Sequence, residues 1–104
     1  MSRVSIWLDD ERPAPLHWIH VKTASDCIVM LEEFRGHVDA VSFDHDLGLE
    51  HETGYDALLW LEEQVIMNDY PPLEINIHTA NLGAKIKMLQ AAENIRKFHE
   101  RSGV

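Results

Sequence analysis

Three stretches of the chain put ionisable or hydrogen-bonding side chains where an apolar strand should end. In VSFDHDLG, Val41 and Phe43 lead into Asp44, His45 and Asp46. Ionised carboxylates this close repel one another and resist leaving water, so the grouping costs stability unless a cation or a proton sits between them. Near the start, SIWLDD runs from Ile6 and Leu8 into Asp9 and Asp10, and INIHTAN carries Ile75 and Ile77 into His78, Thr79 and Asn81. Carboxylates of Asp9, Asp10, Asp44 and Asp46 facing one pocket would form an oxygen-rich site for a hard divalent ion, Mg²⁺ with Mn²⁺ as an alternative, that keeps waters and a substrate phosphate. His45 and His78 stand where they could contact a phosphate or transfer protons, whereas His17, His20, His37, His51 and His99 lack that placement. Thr79 and Asn81 precede a helix N-terminus, whose unpaired amides and dipole favour an anion that Lys85 can also reach. Each residue has a plainer use as well: Asp and Asn cap helices and close turns, and either histidine could serve packing alone.

The elements that must position these groups can be read from periodicity. Val4, Ile6 and Leu8 alternate with Ser5 and Trp7 as a short strand. ERPAP follows as a loop, because Pro13 and Pro15 each remove a donor and fix the backbone. Residues 17–22, HWIHVK, alternate as a second strand, with His17, Ile19 and Val21 on one side. Thr23 followed by Asp26 forms a capping pattern for a helix over residues 24–35, with Cys27, Ile28, Leu31 and Phe34 at helical spacing. After the third strand, GLEHETG is a polar loop, and Thr53 with Asp56 caps a helix that must end before Pro71. Leu73, Ile75 and Ile77 alternate with Glu74, Asn76 and His78 in a fourth strand wet on one side, and Ile86, Leu89, Ala92 and Ile95 mark a long final helix. Strands alternating with helices call for an α/β fold with a mostly parallel sheet and right-handed crossovers. Ligands of such sheets bind beyond the carboxyl ends of the strands, where the polar groups gather.

Size and charge narrow the possibilities. The 104 residues suit a single domain over 1–104, and nine basic against eighteen acidic residues give a net charge of −9. That balance argues against extended binding to a nucleic-acid backbone, which runs on dense Lys and Arg. No Lys or Arg occurs between Arg35 and Lys85, so the middle of the chain is an anionic block; Lys85, Lys87, Arg96, Lys97 and Arg101 then read as a solvated helix face. A single cysteine, Cys27 among apolar neighbours, excludes a disulfide framework and indicates a reducing compartment. The longest apolar run, Ala57 to Leu61, is too short for a membrane span, and acids interrupt the N-terminus before a signal peptide could form. A soluble cytoplasmic protein is expected. Trp7, Trp18 and Trp60 fall within strand or helix patterns and are expected to pack.

An acidic pair closing the first strand, Asp44 closing the third and Thr79-Ala80 closing the fourth resemble a response-regulator receiver domain. More specifically, WLDDERPAP, SFDHDLG, TGYDALLWLE and IHTAN resemble the cyclic-phosphate processing receiver domain over nearly all of residues 5–83. The resemblance implies a three-layer, truncated receiver (flavodoxin-like) fold with strand order 2-1-3-4. It implies Mg²⁺ on Asp9, Asp10 and Asp44, with a phosphoryl group at Asp44 and the Thr79 hydroxyl in contact with it. Two departures stand out: ERPAPLH replaces the receiver helix between strands one and two, and the fifth strand with its phosphate-binding Lys is missing. The expected activity is that of a metal-dependent phosphoesterase acting on cyclic or terminal phosphates of RNA or nucleotides, its partner a phosphate-bearing small molecule or RNA terminus and not a membrane. The alternatives are a phosphoacceptor using Asp44 and a non-catalytic adaptor with an acidic face.

Overall fold

The computed structural model describes residues 2–48 and 52–102, so Leu49, Glu50 and His51 of the expected polar loop lie outside the described residues. Its elements are β1 (Val4–Leu8), β2 (Ile19–Val21), α1 (Ala24–Glu33), β3 (Val38–Phe43), α2 (Gly54–Asn68), β4 (Glu74–Ile77) and α3 (Leu82–Arg101). The four strands form one parallel sheet in the order β2-β1-β3-β4, as expected of a truncated receiver.

The helices start where the caps place them. The side chains of Thr23 and Asn81 accept from the amides of Asp26 and Ala84, each at 3.0 Å. Thr53 and Asp56 form a reciprocal capping box that satisfies two amides otherwise left unpaired. Strand β2 is shorter than the alternation of residues 17–22 suggests. Trp18 N–H donates to the Pro15 carbonyl at 3.1 Å, and His17 takes a left-handed φ of 72°, so the chain turns before Ile19 enters the sheet.

The expected third layer is replaced by a loop. Crossovers β2–α1–β3 and β3–α2–β4 travel the same way across the sheet, so right-handedness puts α1 and α2 on one face. They pack on each other, and α3 packs on α2 and β4 in the same layer. Only the β1–β2 connection travels the other way, and its prolines bar a helix there. The second face therefore carries no helix among the described residues. The core is correspondingly one-sided: Ile6, Leu8, Val41 and Phe43 of the sheet meet Leu31, Leu58, Leu61, Val65, Met88 and Ile95. Each large apolar side chain so buried contributes roughly 1.5–3 kcal/mol. Cys27 belongs to this core, and burial pushes its thiol up to about 12, as befits a packing residue.

Among the described residues β4 pairs only with β3 and forms one edge of the sheet, β2 forming the other. Its outward residues Glu74 and Asn76 are exposed, while Ile75 and Ile77 are half-buried against the helical layer.

Candidate metal and phosphate site

Strand pairing sets the site. Asp9 N–H donates to the Val21 carbonyl at 3.1 Å and Asp44 N–H to the Leu8 carbonyl at 2.9 Å, so both acids extend the ladder by one bond at adjacent strand ends. Asp9, Asp10 and Asp44 each bring a carboxylate oxygen within 4.8 Å of the other two. Asp9 is only 1% exposed and Asp44 8%.

Asp9 is fixed from every side. Its Oδ1 accepts the backbone N–H groups of Glu11 and Arg12 at 2.8 and 2.9 Å, and its carbonyl oxygen meets His20 Nε2 at 2.7 Å. Its Oδ2 meets His78 Nε2 at 3.1 Å, and Arg12 Nε stands 3.9 Å away. Burial alone would raise the carboxyl pKa; the two amides and the His78 ring outweigh it and leave Asp9 below the ordinary carboxylate value. A buried aspartate held ionised in this way is a suitable ligand for a cation. Asp44 Oδ1 accepts the His45 N–H at 2.8 Å, and the Asp10 carboxylate accepts no hydrogen bond among the described residues. Oxygens thus remain on both for an ion. An all-carboxylate set of this kind fits Mg²⁺ or Mn²⁺ and not a soft metal.

Two glycines make the crowding sterically feasible. Gly48 turns with φ of +64°, and a Cβ there would lie 2.6 Å from Asp10 Oδ2, so a side chain at this position would be strained and would displace that carboxylate. A Cβ on Gly54 would lie 1.6 Å from the Asp44 carbonyl oxygen, while Gly54 N–H donates to the His45 carbonyl at 3.0 Å. The first turn of α2 therefore rests directly on the backbone that carries Asp44.

The other expected residues fall in three places. His78 is engaged on both nitrogens, with Ser42 Oγ 2.6 Å from Nδ1, and its ring stacks on Trp7 at 3.8 Å. Because β3 lies between β1 and β4, these two rings meet above Ser42, which is 3% exposed and small enough to fit beneath them. Asp46 stands apart from the three-carboxylate group: it is 65% exposed and bonds His45 Nδ1 at 2.8 Å. The reason is that β3 ends at Phe43, so the pleat that would aim Asp44 and Asp46 alike no longer acts at Asp46. Thr79 and Asn81 shape the β4–α3 turn, with Thr79 Oγ1 accepting the Asn81 N–H at 3.2 Å, and half-buried Lys85 follows in the first turns of α3.

Sequence reasoning missed Trp7, Arg12, His20, Ser42, Gly48 and Gly54. Ser42 is a polar residue in the middle of an apolar strand, and the two glycines flank a capped helix start; both were readable signals. His20 and Trp7 carried none.

A parallel sheet in receiver order with a carboxylate trio at its carboxyl end defines a receiver-like α/β protein. The chain matches the family described as the cyclic-phosphate processing receiver domain over residues 4–94, and it belongs to that family. No match was found among curated proteins or among solved structures. No helix among the described residues is long and apolar enough to cross a membrane.

Proposed function

We propose that the protein is a metal-dependent phosphoesterase that opens or trims cyclic or terminal phosphates of nucleotides or RNA ends. The observation that carries this reading is the approach of Asp9, Asp10 and Asp44 within 4.8 Å in a chain of the cyclic-phosphate processing family. A divalent ion held by these three acids would supply Lewis-acid polarisation of the phosphoryl oxygens. The remaining work falls to the chain. In hydrolysis of a cyclic diester, water oxygen bonds to phosphorus, one ring P–O bond breaks, and the departing oxygen takes a proton. His45 suits the proton transfers better than His78, since Asp46 holds only its Nδ1, whereas Asp9 and Ser42 occupy both nitrogens of His78. Thr79 and the N-terminus of α3 stand at the same end of the sheet to receive phosphate oxygens.

The deciding assay incubates the protein and Mg²⁺ with RNA ending in a 2′,3′-cyclic phosphate and with nucleoside cyclic monophosphates. Ring opening that disappears in Asp10→Asn and Asp44→Asn supports the reading. No conversion of any of them, together with a stable phosphoryl gain on Asp44 from acetyl phosphate, would replace it with a phosphoacceptor.

A further inference from the structure

We propose that Arg12, on the β1–β2 loop, is the residue that receives the anionic oxygens of the phosphoryl group. The inference rests on the functional reading above. Three ionised carboxylates and one divalent ion leave a net negative charge, so an incoming phosphate is repelled unless a second cation stands beside the site. Between Arg35 and Lys85 the sequence offers none, and among the described residues β4 is one edge of the sheet.

Arg12 is placed for the role by its backbone. Its N–H donates to Asp9 Oδ1 at 2.9 Å, its carbonyl accepts the Trp7 indole N–H at 3.2 Å, and Pro13 stiffens the next residue. The side chain then crosses the sheet ends, where Nη1 donates to the His78 carbonyl at 2.5 Å. Its Nε stays 3.9 Å from Asp9 Oδ2, beyond hydrogen-bond distance, and the side chain is 48% exposed. The guanidinium is thus tethered at one nitrogen beside the carboxylates without being consumed by them. Its planar fork suits two phosphate oxygens at once, which a lysine ammonium does not. Lys85, another cation near this end of the sheet, makes no side-chain hydrogen bond or ion pair among the described residues that would hold it there.

This placement predicts effects of opposite sign on cation and anion. Mg²⁺ is titrated calorimetrically into the wild type and Arg12→Gln, and inorganic phosphate is then titrated into each magnesium-saturated protein. Arg12→Gln should bind Mg²⁺ as tightly or more tightly, because a neighbouring positive charge is gone. Its phosphate affinity should fall about tenfold or more, the worth of a charge-assisted hydrogen bond. Arg12→Lys, which keeps the charge without the fork, should recover part of the loss. Joint loss of Mg²⁺ and phosphate binding in both Arg12 variants would overturn the proposal in favour of a purely structural arginine. Equal phosphate binding by wild type and Arg12→Gln would overturn the Arg12 role alone. Absence of phosphate binding by the magnesium-saturated wild type would overturn the functional reading and this role with it.

Discussion

His78 donates through Nε2 to Asp9 Oδ2 at 3.1 Å while its Nδ1 lies 2.6 Å from Ser42 Oγ. The network assigns the Nε2–H tautomer, with the Ser42 hydroxyl donating to Nδ1, since an ionised carboxylate only accepts. Stacked on Trp7 and engaged on both nitrogens, the ring holds Asp9 Oδ2 in place, and under the proposed function this makes it a positioning residue.

It follows that His78→Ala should weaken Mg²⁺ binding by about tenfold or more, the usual cost of losing a residue that orients a metal ligand. His78→Gln, which keeps an N–H near the Nε2 position, should recover most of it. Calorimetric titration of the three proteins checks this, and equal affinities would refute the positioning role.

Acid should destabilise the fold through the same pair. Burial lowers the His78 pKa and Arg12 adds to this, against the opposing pull of Asp9 and Asp44. The folded chain therefore resists a proton that the unfolded chain accepts below about 6.5, and stability falls as pH drops from there through the folded value. Asp9, lowered as well, adds a second loss as pH falls below 3.8 through its own folded value. Urea unfolding at pH 7.5 and at pH 5 should show the first decline in the wild type, and a shallower one in His78→Gln.

Gly48→Ala should impair the metal site more than the fold. The added methyl meets Asp10 Oδ2 at 2.6 Å and sits on a φ of +64°, so Asp10 must swing away. Mg²⁺ affinity is expected to drop several-fold with a loss of stability of about 1 kcal/mol, typical of alanine forced into positive φ. Unchanged affinity would show that Asp10 is not a ligand.

Gly54→Ala should have the reverse balance. Its Cβ would meet the Asp44 carbonyl oxygen at 1.6 Å, and neither backbone can give way without lifting α2 from the end of β3. Thermal and urea unfolding should reveal destabilisation of about 3 kcal/mol or more, at the upper end of overpacking costs. A variant as stable as the wild type would contradict the close docking.

Much of the site was legible because alternation and capping are local. Asp9 and Asp44 follow apolar residues at spacing two, and a parallel sheet of alternating strands and helices must put such ends together. Asp46 departed from that logic because local periodicity stops acting where the ladder stops. The expected strand over 17–22 was shortened by a turn at His17 for a related reason: alternation describes a pattern and does not show where backbone pairing begins.

The linear order of residues determined the strand and helix sequence, the acidic strand ends and the helix caps, since each depends on neighbours a few positions away. Only the tertiary structure decided that all three helices share one face, and that Trp7 and His78 close over Ser42. The same holds for Arg12 reaching the end of β4, for Gly48 lying against the Asp10 carboxylate and for Gly54 having no room for a side chain. These relationships join positions far apart in the chain, and they follow from crossover handedness and strand register, which no local spacing encodes.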